Sequence, residues 1–209
     1  MNPLEFRFAE INDIDAIVEL YNIALQPLSS KAEREYIREK IRLHILGPGS
    51  GALTAWYGRQ LIGFLLYVKD EDVFARYIKS LPILLRVLIR LICGFYGFNL
   101  FAIYQLFQQW RTKAERRLSE NASEPRLKLP SSYLTAYATH PKWRGQGIGS
   151  RLVQIFLDEL KREGRKEVYT WVLVSNQPSL HLLVNKFGFE KRGVVRRFGE
   201  DNYLLVKKL

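Results

Sequence analysis

The sequence predicts an α/β fold in which a mixed sheet is flanked by helices on both faces. Strand patterns alternate with helical patterns near both ends of the 209-residue chain, and a hairpin signal at Gly58-Arg59 requires some antiparallel strands. With 47% hydrophobic and 25% charged residues, the composition is that of a globular protein, which excludes collagen, disorder and a disulfide scaffold. We expect residues 1–209 to form a single domain.

The first 69 residues predict a strand, two helices and a hairpin. Residues 4–9 alternate apolar and polar side chains, and Asn12 or Asp13 can cap the helix that follows. A second helical pattern ends at the glycine-rich turn 47–51. The second arm of the hairpin, residues 60–68, is apolar on both faces and is therefore expected to be a central strand.

The same alternation resumes at Ser132. The predicted elements are strands at 133–139, 167–174, 190–195 and 202–206, and helices at 147–161 and 179–186. At the other end of the chain, residues 1–15 lack a basic segment followed by an apolar one, so no signal peptide is expected.

Residues 70–130 differ in character and predict a helical insertion between the third and fourth strands. At about 100° per residue, Arg76, Lys79, Arg86 and Arg90 form a basic stripe on an otherwise apolar helix. Residues 91–107 carry no charge but are slightly too short to cross a bilayer. Trp110 is then followed by four cations: Arg111, Lys113, Arg116 and Arg117.

Much of the positive charge lies in this insertion. The whole chain has a formal net charge of +11, and residues 75–118 contain eight basic side chains and one acid, Glu115. Such a surface favours anionic partners. One interpretation is peripheral binding of residues 76–117 to an anionic membrane. The alternative is a helical hairpin packed on its own sheet, over the substrate or against a second copy of the chain; nucleic acid is disfavoured because the cations lie among aliphatic side chains.

Cysteine and histidine usage predicts no metal site. Cys93 is the only cysteine and has no ligand-spaced partner, which indicates a structural thiol in a reducing, cytoplasmic compartment. His44 and His181 are expected at the surface or partly packed. His140 is a candidate base because histidine is the commonest general base, but we favour a turn position beside Pro141 for it.

A glycine-rich segment, RGQGIG at 144–149, stands between a predicted strand and an amphipathic helix. Glycines let the backbone approach a ligand, and the first N–H groups of a helix bind anions. Arg144 adds a charge suited to phosphate. The spacing matches neither the P-loop nor the dinucleotide-binding motif, and a glycine-rich helix start beside a solvated Arg144 is the structural alternative.

These residues resemble the GNAT superfamily of N-acetyltransferases. In YLTAYATHPKWRGQGIGSRL, the positions Arg144, Gly147 and Gly149 match the acyl-CoA motif, with Pro141 upstream. In SNQPSLHLLVNKFGFEKRG, a second motif is matched by Asn176, Lys186, Gly188 and Phe189. The resemblance covers about residues 4–69 and 131–209 and leaves the insertion outside.

The resemblance implies a mostly antiparallel sheet, acetyl-CoA as co-substrate and direct acyl transfer to an amine without an acyl-enzyme. Strand backbone would hold the pantetheine arm, the helix start would hold the pyrophosphate, and an asparagine would line the cleft. The implied binding residues are Tyr137, Ala138, Thr139, Arg144, Gly145, Gln146, Gly147, Ile148, Gly149, Ser150 and Asn176.

One departure concerns the proton donor. Many family members carry a tyrosine four residues before the glycine of the second motif, where this chain has Val184. The spacing from Asn176 to Gly188 is also one residue longer than the commoner form. Tyr203, Tyr137 or solvent could take that role, so the catalytic residues stay open. A non-catalytic acyl-CoA-binding or regulatory module is therefore the alternative function, and the amine acceptor, whether a small molecule, a lipid-linked molecule or a protein, is not predicted.

Overall fold

A seven-stranded sheet runs through the residues that the computed structural model describes, which are 3–92, 129–197 and 199–209. In chain order the strands are β1 (Leu4–Phe8), β2 (Ser50–Tyr57), β3 (Gln60–Val68), β4 (Tyr133–Thr139), β5 (Glu167–Leu173), β6 (Glu190–Arg197) and β7 (Glu200–Lys208). Their spatial order is β1-β2-β3-β4-β5-β7-β6. Every neighbouring pair is antiparallel except β4 and β5. The predicted mixed sheet is confirmed.

Helices cover both faces of this sheet, as predicted. They are α1 (Ile14–Ala24), α2 (Lys31–Leu46), α3 (Glu71–Ile78), α4 (Leu81–Ile92), α5 (Ile148–Arg162) and α6 (Gln177–Leu180), the last continued by a π-helical segment, His181–Lys186. Helices α1 and α2 pack on one face, and α5 and α6 pack on the other. Strand β3 lies in the middle with eight buried residues in a row, Leu61–Val68, which fits its continuous apolar sequence.

The first helix begins differently from the prediction. Asp13 precedes α1, but its carboxylate does not cap that helix. Instead it accepts two hydrogen bonds from the Arg7 guanidinium, at 2.7 and 2.8 Å, and one from the Glu10 amide. The buried Asp13 therefore ties strand β1 to the short 3-10 turn Ile11–Asp13, because an ion pair to a neighbouring strand satisfies more of its oxygens than a cap would.

The predicted basic stripe does not lie on one continuous helix. Asp70 caps α3 by accepting from the Val73 amide at 3.1 Å, and the chain breaks before α4, which has Pro82 in its first turn. Arg76 and Lys79 are thereby separated from Arg86 and Arg90. The later part of the insertion, including Cys93 and the cluster around Trp110, lies outside the described residues.

Arg86 and Arg90 bind α2 rather than projecting freely. The Glu39 carboxylate, whose side chain is 7% exposed, accepts from Arg86 Nε at 3.0 Å and from Arg90 Nη1 at 2.9 Å. The Arg90 guanidinium also lies 3.8 Å from Glu35. The insertion thus packs on the body of the protein through α4, while Leu81, Leu85 and Ile89 remain exposed on that helix. In the described part of the chain, no helix is long and apolar enough to cross a membrane.

Candidate functional site

Strands β4 and β5 diverge from one another along their length. They pair in register only at Tyr133 with Tyr169 and at Leu134 with Thr170. The Thr170 hydroxyl closes this end of the contact by donating to the Leu134 carbonyl at 3.0 Å. Beyond that point β5 continues to pair with β7, and β4 continues to pair with β3, so a V-shaped gap opens between the two strands.

The hydrogen-bond register shows which main-chain groups face this gap. The His140 amide donates to the Ile62 carbonyl at 2.8 Å, and antiparallel partners exchange hydrogen bonds at every second position. Ala138 therefore bonds to Phe64 of β3, and the N–H and C=O groups of Tyr137 and Thr139 point into the gap. The main chain of Ala138 was expected there too, but the alternation of the ladder directs it away.

The start of α5 lies at the open end of the gap. Gly147 precedes the helix in the left-handed conformation at φ +80°, and Gly145 has φ +78°. A Cβ atom built at either position would have no heavy atom within 4 Å. The loop therefore leaves an open approach to the first amides of α5, which have no partner within the helix and carry its positive dipole end.

The other residues of this segment fix the helix in place. Ile148 is buried on the sheet, and Gly149 lies against β4, since its Cβ would be 3.4 Å from Thr139 Oγ1. The Gln146 side chain bonds back to the Lys142 carbonyl at 3.5 Å, and Ser150 completes the first turn.

Arg144 joins the glycine-rich loop to α1. Its Nη2 donates to the Ala24 carbonyl at 3.0 Å and its Nε approaches the Thr139 carbonyl at 3.4 Å. A guanidinium has five N–H donors, so these two contacts leave others for an anion. On the other side of the loop, the ring of Trp143 packs on Tyr57 with centroids 4.7 Å apart.

Asn176 follows β5 and acts as the N-cap of α6. Its side-chain oxygen accepts from the Ser179 amide at 3.2 Å, and its backbone amide donates to the Leu173 carbonyl. This places Asn176 beyond the end of β5, on the opposite side of the gap from the glycine-rich loop.

The extra residue of the second motif is absorbed by a π-helical turn. The Phe187 amide bonds to the Leu182 carbonyl five residues earlier at 3.2 Å, and such a turn accommodates one more residue than an α-helical turn. Counted back from Gly188, the expected tyrosine position is Val184; counted forward from Asn176 at the commoner spacing, it is Leu183. Neither side chain can donate a proton.

Two tyrosines were alternatives for that role. The Tyr137 ring lies on the α5 and α6 face of the sheet, and its buried hydroxyl has no hydrogen-bond partner among the described residues. Tyr203 lies on β7 with the Lys191 ammonium 4.4 Å from its ring centroid.

The histidines take separate structural positions. His140 accepts from the Lys142 amide at 3.2 Å in the turn after β4, which agrees with the favoured turn position. Exposed His181 bonds to Asn185 at 3.0 Å. His44 is buried, not partly exposed as predicted, because its face of α2 packs on β4 and α3: its Nε2 lies 3.1 Å from the Thr135 hydroxyl, and its ring contacts Phe74. Burial lowers the pKa of His44 to about 4.

Gly63 is a positioning residue that the sequence patterns did not predict. A Cβ at Gly63 of β3 would lie 2.8 Å from Ile148 Cγ2 and 3.1 Å from Leu152 Cδ1. Gly63 therefore permits the close approach of α5 to the sheet. A glycine within an apolar strand is itself a signal of close approach.

Comparison with known proteins agrees with this geometry. The Acetyltransferase (GNAT) family profile matches residues 101–189. The match thus begins within the predicted insertion and ends at Phe189, the last matched residue of the second motif. No curated protein sequence matches the chain significantly.

Solved structures share the fold over nearly the whole chain. The ribosomal-protein-S18-alanine N-acetyltransferase from Escherichia coli is 14% identical with a TM-score of 0.58, covering 99% of this chain and 94% of its own. The ribosomal-protein-S5-alanine acetyltransferase from Vibrio fischeri is also 14% identical, with a TM-score of 0.58 and coverages of 100% and 94%. The NatC complex bound to Gag peptide and CoA contains a chain 16% identical, with a TM-score of 0.54 and coverages of 100% and 99%.

The divergence of β4 from β5, the glycine-rich start of α5 and the profile match lead to the same assignment. Residues 101–189 match the GNAT acetyltransferase family, and the described residues share the fold of solved N-acetyltransferase structures.

Proposed function

We propose that this chain transfers an acetyl group from acetyl-CoA to a primary amine by direct attack within a ternary complex. The observation that carries the proposal is the gap between β4 and β5, which opens toward the amide-rich start of α5. One side of that gap offers main-chain groups of Tyr137 and Thr139, and its end offers an anion site. A thioester with a pantetheine arm and a diphosphate has matching chemistry at both places.

Each part of the site has a defined task in this proposal. The amides from Gly147 to Ser150, together with Arg144, bind the diphosphate. The main chain of Tyr137 and Thr139 holds the pantetheine arm and polarises the thioester carbonyl, while Asn176 lines the opposite side. Acetyl-CoA supplies the activated acyl group. Transfer then depends on holding a neutral amine against the carbonyl carbon, which does not require a nucleophilic side chain.

An N-terminal amine of a protein is the acceptor class to test first. Two of the structural neighbours are named for acetylation of alanine in ribosomal proteins, and a third is bound to a peptide. Small amines and lipid-linked amines stay in the comparison as other acceptor classes.

The test is binding and turnover with the purified full chain. Calorimetry should detect CoA binding, and release of free thiol from acetyl-CoA should rise when peptides beginning with alanine, polyamines, aminoglycosides or amino sugars are added. At 100 times its Kd, CoA should stabilise the fold by about 2.7 kcal/mol. No binding of CoA at millimolar concentration would refute the proposal.

A second candidate is a non-catalytic acyl-CoA-binding or regulatory module. The observation that favours it is the apolar pair Leu183 and Val184 where a proton donor would be expected. Both candidates require CoA binding, so thiol release separates them. Tight binding without thiol release above background for the whole amine panel would favour the module.

We also propose that the chain forms one domain in which residues 70–130 are inserted, and that the protein is cytoplasmic. A further proposal is that the insertion binds a membrane surface. Exposed Leu81, Leu85 and Ile89 on α4 favour an interfacial role, while Arg86 and Arg90 are held by Glu39. Sedimentation with vesicles containing phosphatidylserine tests it, with neutral vesicles as the control. Equal sedimentation with and without vesicles would contradict membrane binding.

A further inference from the structure

The hydroxyl of Tyr137 is buried on the α5 and α6 face of the sheet, above a strand that borders the gap, without a hydrogen-bond partner among the described residues. The Tyr137 ring lies against the first turn of α5, where a Cβ at Gly149 would be 3.9 Å from Tyr137 Cε2 and equally close to Leu182. A buried hydroxyl without a partner costs about 1–3 kcal/mol. That cost would disappear if a ligand in the gap accepted its hydrogen bond.

The surroundings of this phenol keep it protonated. Burial raises the pKa of Tyr137, and the approach of the Ser179 hydroxyl offsets only part of that effect without reaching hydrogen-bond geometry. A protonated phenol can donate a hydrogen bond, and it carries no charge. It therefore suits a group that is weakly polar at first and becomes negative during a reaction.

The other candidate proton donors near the gap either carry no proton to donate or already contact another group. Leu183 and Val184 on the π-helical segment carry no proton to donate. Tyr203 lies one strand further from the gap, on β7, and its ring is already covered by the Lys191 ammonium. His140 is engaged by the Lys142 amide in the turn beyond β4.

We propose that Tyr137 is the catalytic proton donor to the departing sulfur of acetyl-CoA. The inference rests on the proposed function, since it requires the thioester to lie in the gap. In the proposed function the main chain of Tyr137 holds the same substrate. One residue of β4 would therefore position the thioester and donate a proton to its leaving group.

The amine nitrogen forms a bond to the carbonyl carbon, and the carbon–sulfur bond breaks with its electron pair passing to sulfur. The Tyr137 proton moves to that sulfur and yields the free thiol of CoA. The amine releases one proton on becoming an amide, and the phenolate recovers a proton through solvent.

The test compares the affinity of CoA with that of desulfo-CoA, in which hydrogen replaces the thiol, by calorimetry at pH 9. A thiol with a pKa of about 8.5 is largely ionised there, whereas the Tyr137 phenol keeps its proton. We expect the wild-type chain to bind CoA about tenfold more tightly than desulfo-CoA, as one charge-assisted hydrogen bond predicts. In Tyr137→Phe the two affinities should agree within about twofold.

Tyr67→Phe is the matched control. It removes another buried phenol, which lies on β3 over Gly51 of β2, and should retain the tenfold preference. An undiminished preference in Tyr137→Phe would overturn the proposal. Equal wild-type affinities for CoA and desulfo-CoA would also overturn it, without any variant having to fold.

Turnover gives a second result. With an amine from the panel that is acetylated, Tyr137→Phe should lower kcat by about a hundredfold and leave the KM for acetyl-CoA nearly unchanged. An unchanged kcat would refute the proton donor while leaving the transferase intact. A wild-type chain that binds neither CoA nor desulfo-CoA would instead refute the proposed function itself.

Discussion

Gly147 has a backbone conformation that a residue with a Cβ adopts only at a cost. At φ +80° it precedes α5, and a side chain there would have open space around it, so the constraint comes from the backbone alone. Gly164 just beyond the other end of α5 has φ +71° and equally open surroundings. The two glycines therefore share one local geometry but differ in their distance from the candidate site.

Alanine substitutions at these two positions should separate stability from binding. Gly147→Ala and Gly164→Ala should each lower the free energy of unfolding by about 1–2 kcal/mol, the strain of a left-handed residue with a Cβ. Only Gly147→Ala should also weaken CoA binding, by about tenfold or more, because it shifts the amides that we propose bind the diphosphate. Urea denaturation and calorimetry measure the two effects, and equal CoA affinity in both variants would argue against the site.

The contact of helix α5 with strand β3 sets the position of the helix on the sheet. Ile148 and Leu152 lie where a side chain at Gly63 would otherwise be. The start of the helix can approach the sheet only because that side chain is missing. The proposed anion site at the N-terminus of α5 therefore depends partly on β3, a strand to which the proposal assigns no ligand contact.

Gly63→Ala should displace α5 and weaken binding together. Overpacking of this kind costs about 1–3 kcal/mol, and we expect a measurable loss of CoA affinity with it. Gly193→Ala on the edge strand β6 is the control, since its Cβ would meet nothing within 4 Å. Thermal unfolding and CoA titration of both variants check this, and a Gly63→Ala protein with unchanged affinity would disagree with it.

The docking of α4 on α2 depends on one almost buried carboxylate. Glu39 accepts from both Arg86 and Arg90, and its side chain is only 7% exposed. Because the two arginines remain partly exposed, their separation from Glu39 should cost less than breaking a fully buried pair.

Glu39→Gln should loosen α4 without disrupting the sheet. We expect a loss of about 1–2 kcal/mol and faster amide hydrogen exchange in residues 81–92. Glu19→Gln removes a carboxylate that is 59% exposed and pairs with Arg34, and it should change stability by less than about 0.5 kcal/mol. Identical exchange of residues 81–92 in the wild type and in Glu39→Gln would show that the ion pairs do not hold α4.

At the scale of the whole molecule, His44 links stability to pH. Its Nδ1 donates to the Lys40 carbonyl at 2.8 Å, so its Nε2 accepts from the Thr135 hydroxyl, and the ring is neutral. Burial lowers its pKa to about 4, helped by the charge of Lys40, against about 6.5 in an unfolded chain. Between those pH values the unfolded state binds a proton that the folded state does not. The contribution of His44 to the free energy of unfolding is therefore fully present above about pH 6.5 and is lost as the pH falls toward 4.

His44→Gln should remove most of that loss. From pH 7 to pH 4.5 the wild type should lose about 2–3 kcal/mol through His44, and the variant should lose little over the same interval. His181→Gln, at an exposed site, should keep the wild-type dependence. Urea denaturation at both pH values measures the difference. Equal losses in the wild type and His44→Gln would mean that another group controls this range.

The sequence patterns predicted the helices and strands more accurately than they predicted the contacts between them. The continuous apolar run of β3 and the alternation in β1 follow from local periodicity, and both strands form close to the predicted bounds. The basic stripe was predicted less well, because α3 ends at Ile78 before α4 begins at Leu81 and because Glu39 binds two of the four cations. A hydropathy pattern shows that a charge is present but not which distant carboxylate meets it.

The sequence by itself determined the mixed sheet, the order of its elements and the glycine-rich start of α5, because periodicity, helix caps and backbone freedom are properties of neighbouring residues. Only the tertiary structure decided that the main chains of Tyr137 and Thr139 face a gap, that the main chain of Ala138 does not, and that His44 is buried. It also decided that the Tyr137 phenol lies beside α5 with no hydrogen-bond partner in the part of the chain that the structure describes. These depend on strand register and on packing between residues far apart in the chain, which local sequence does not encode.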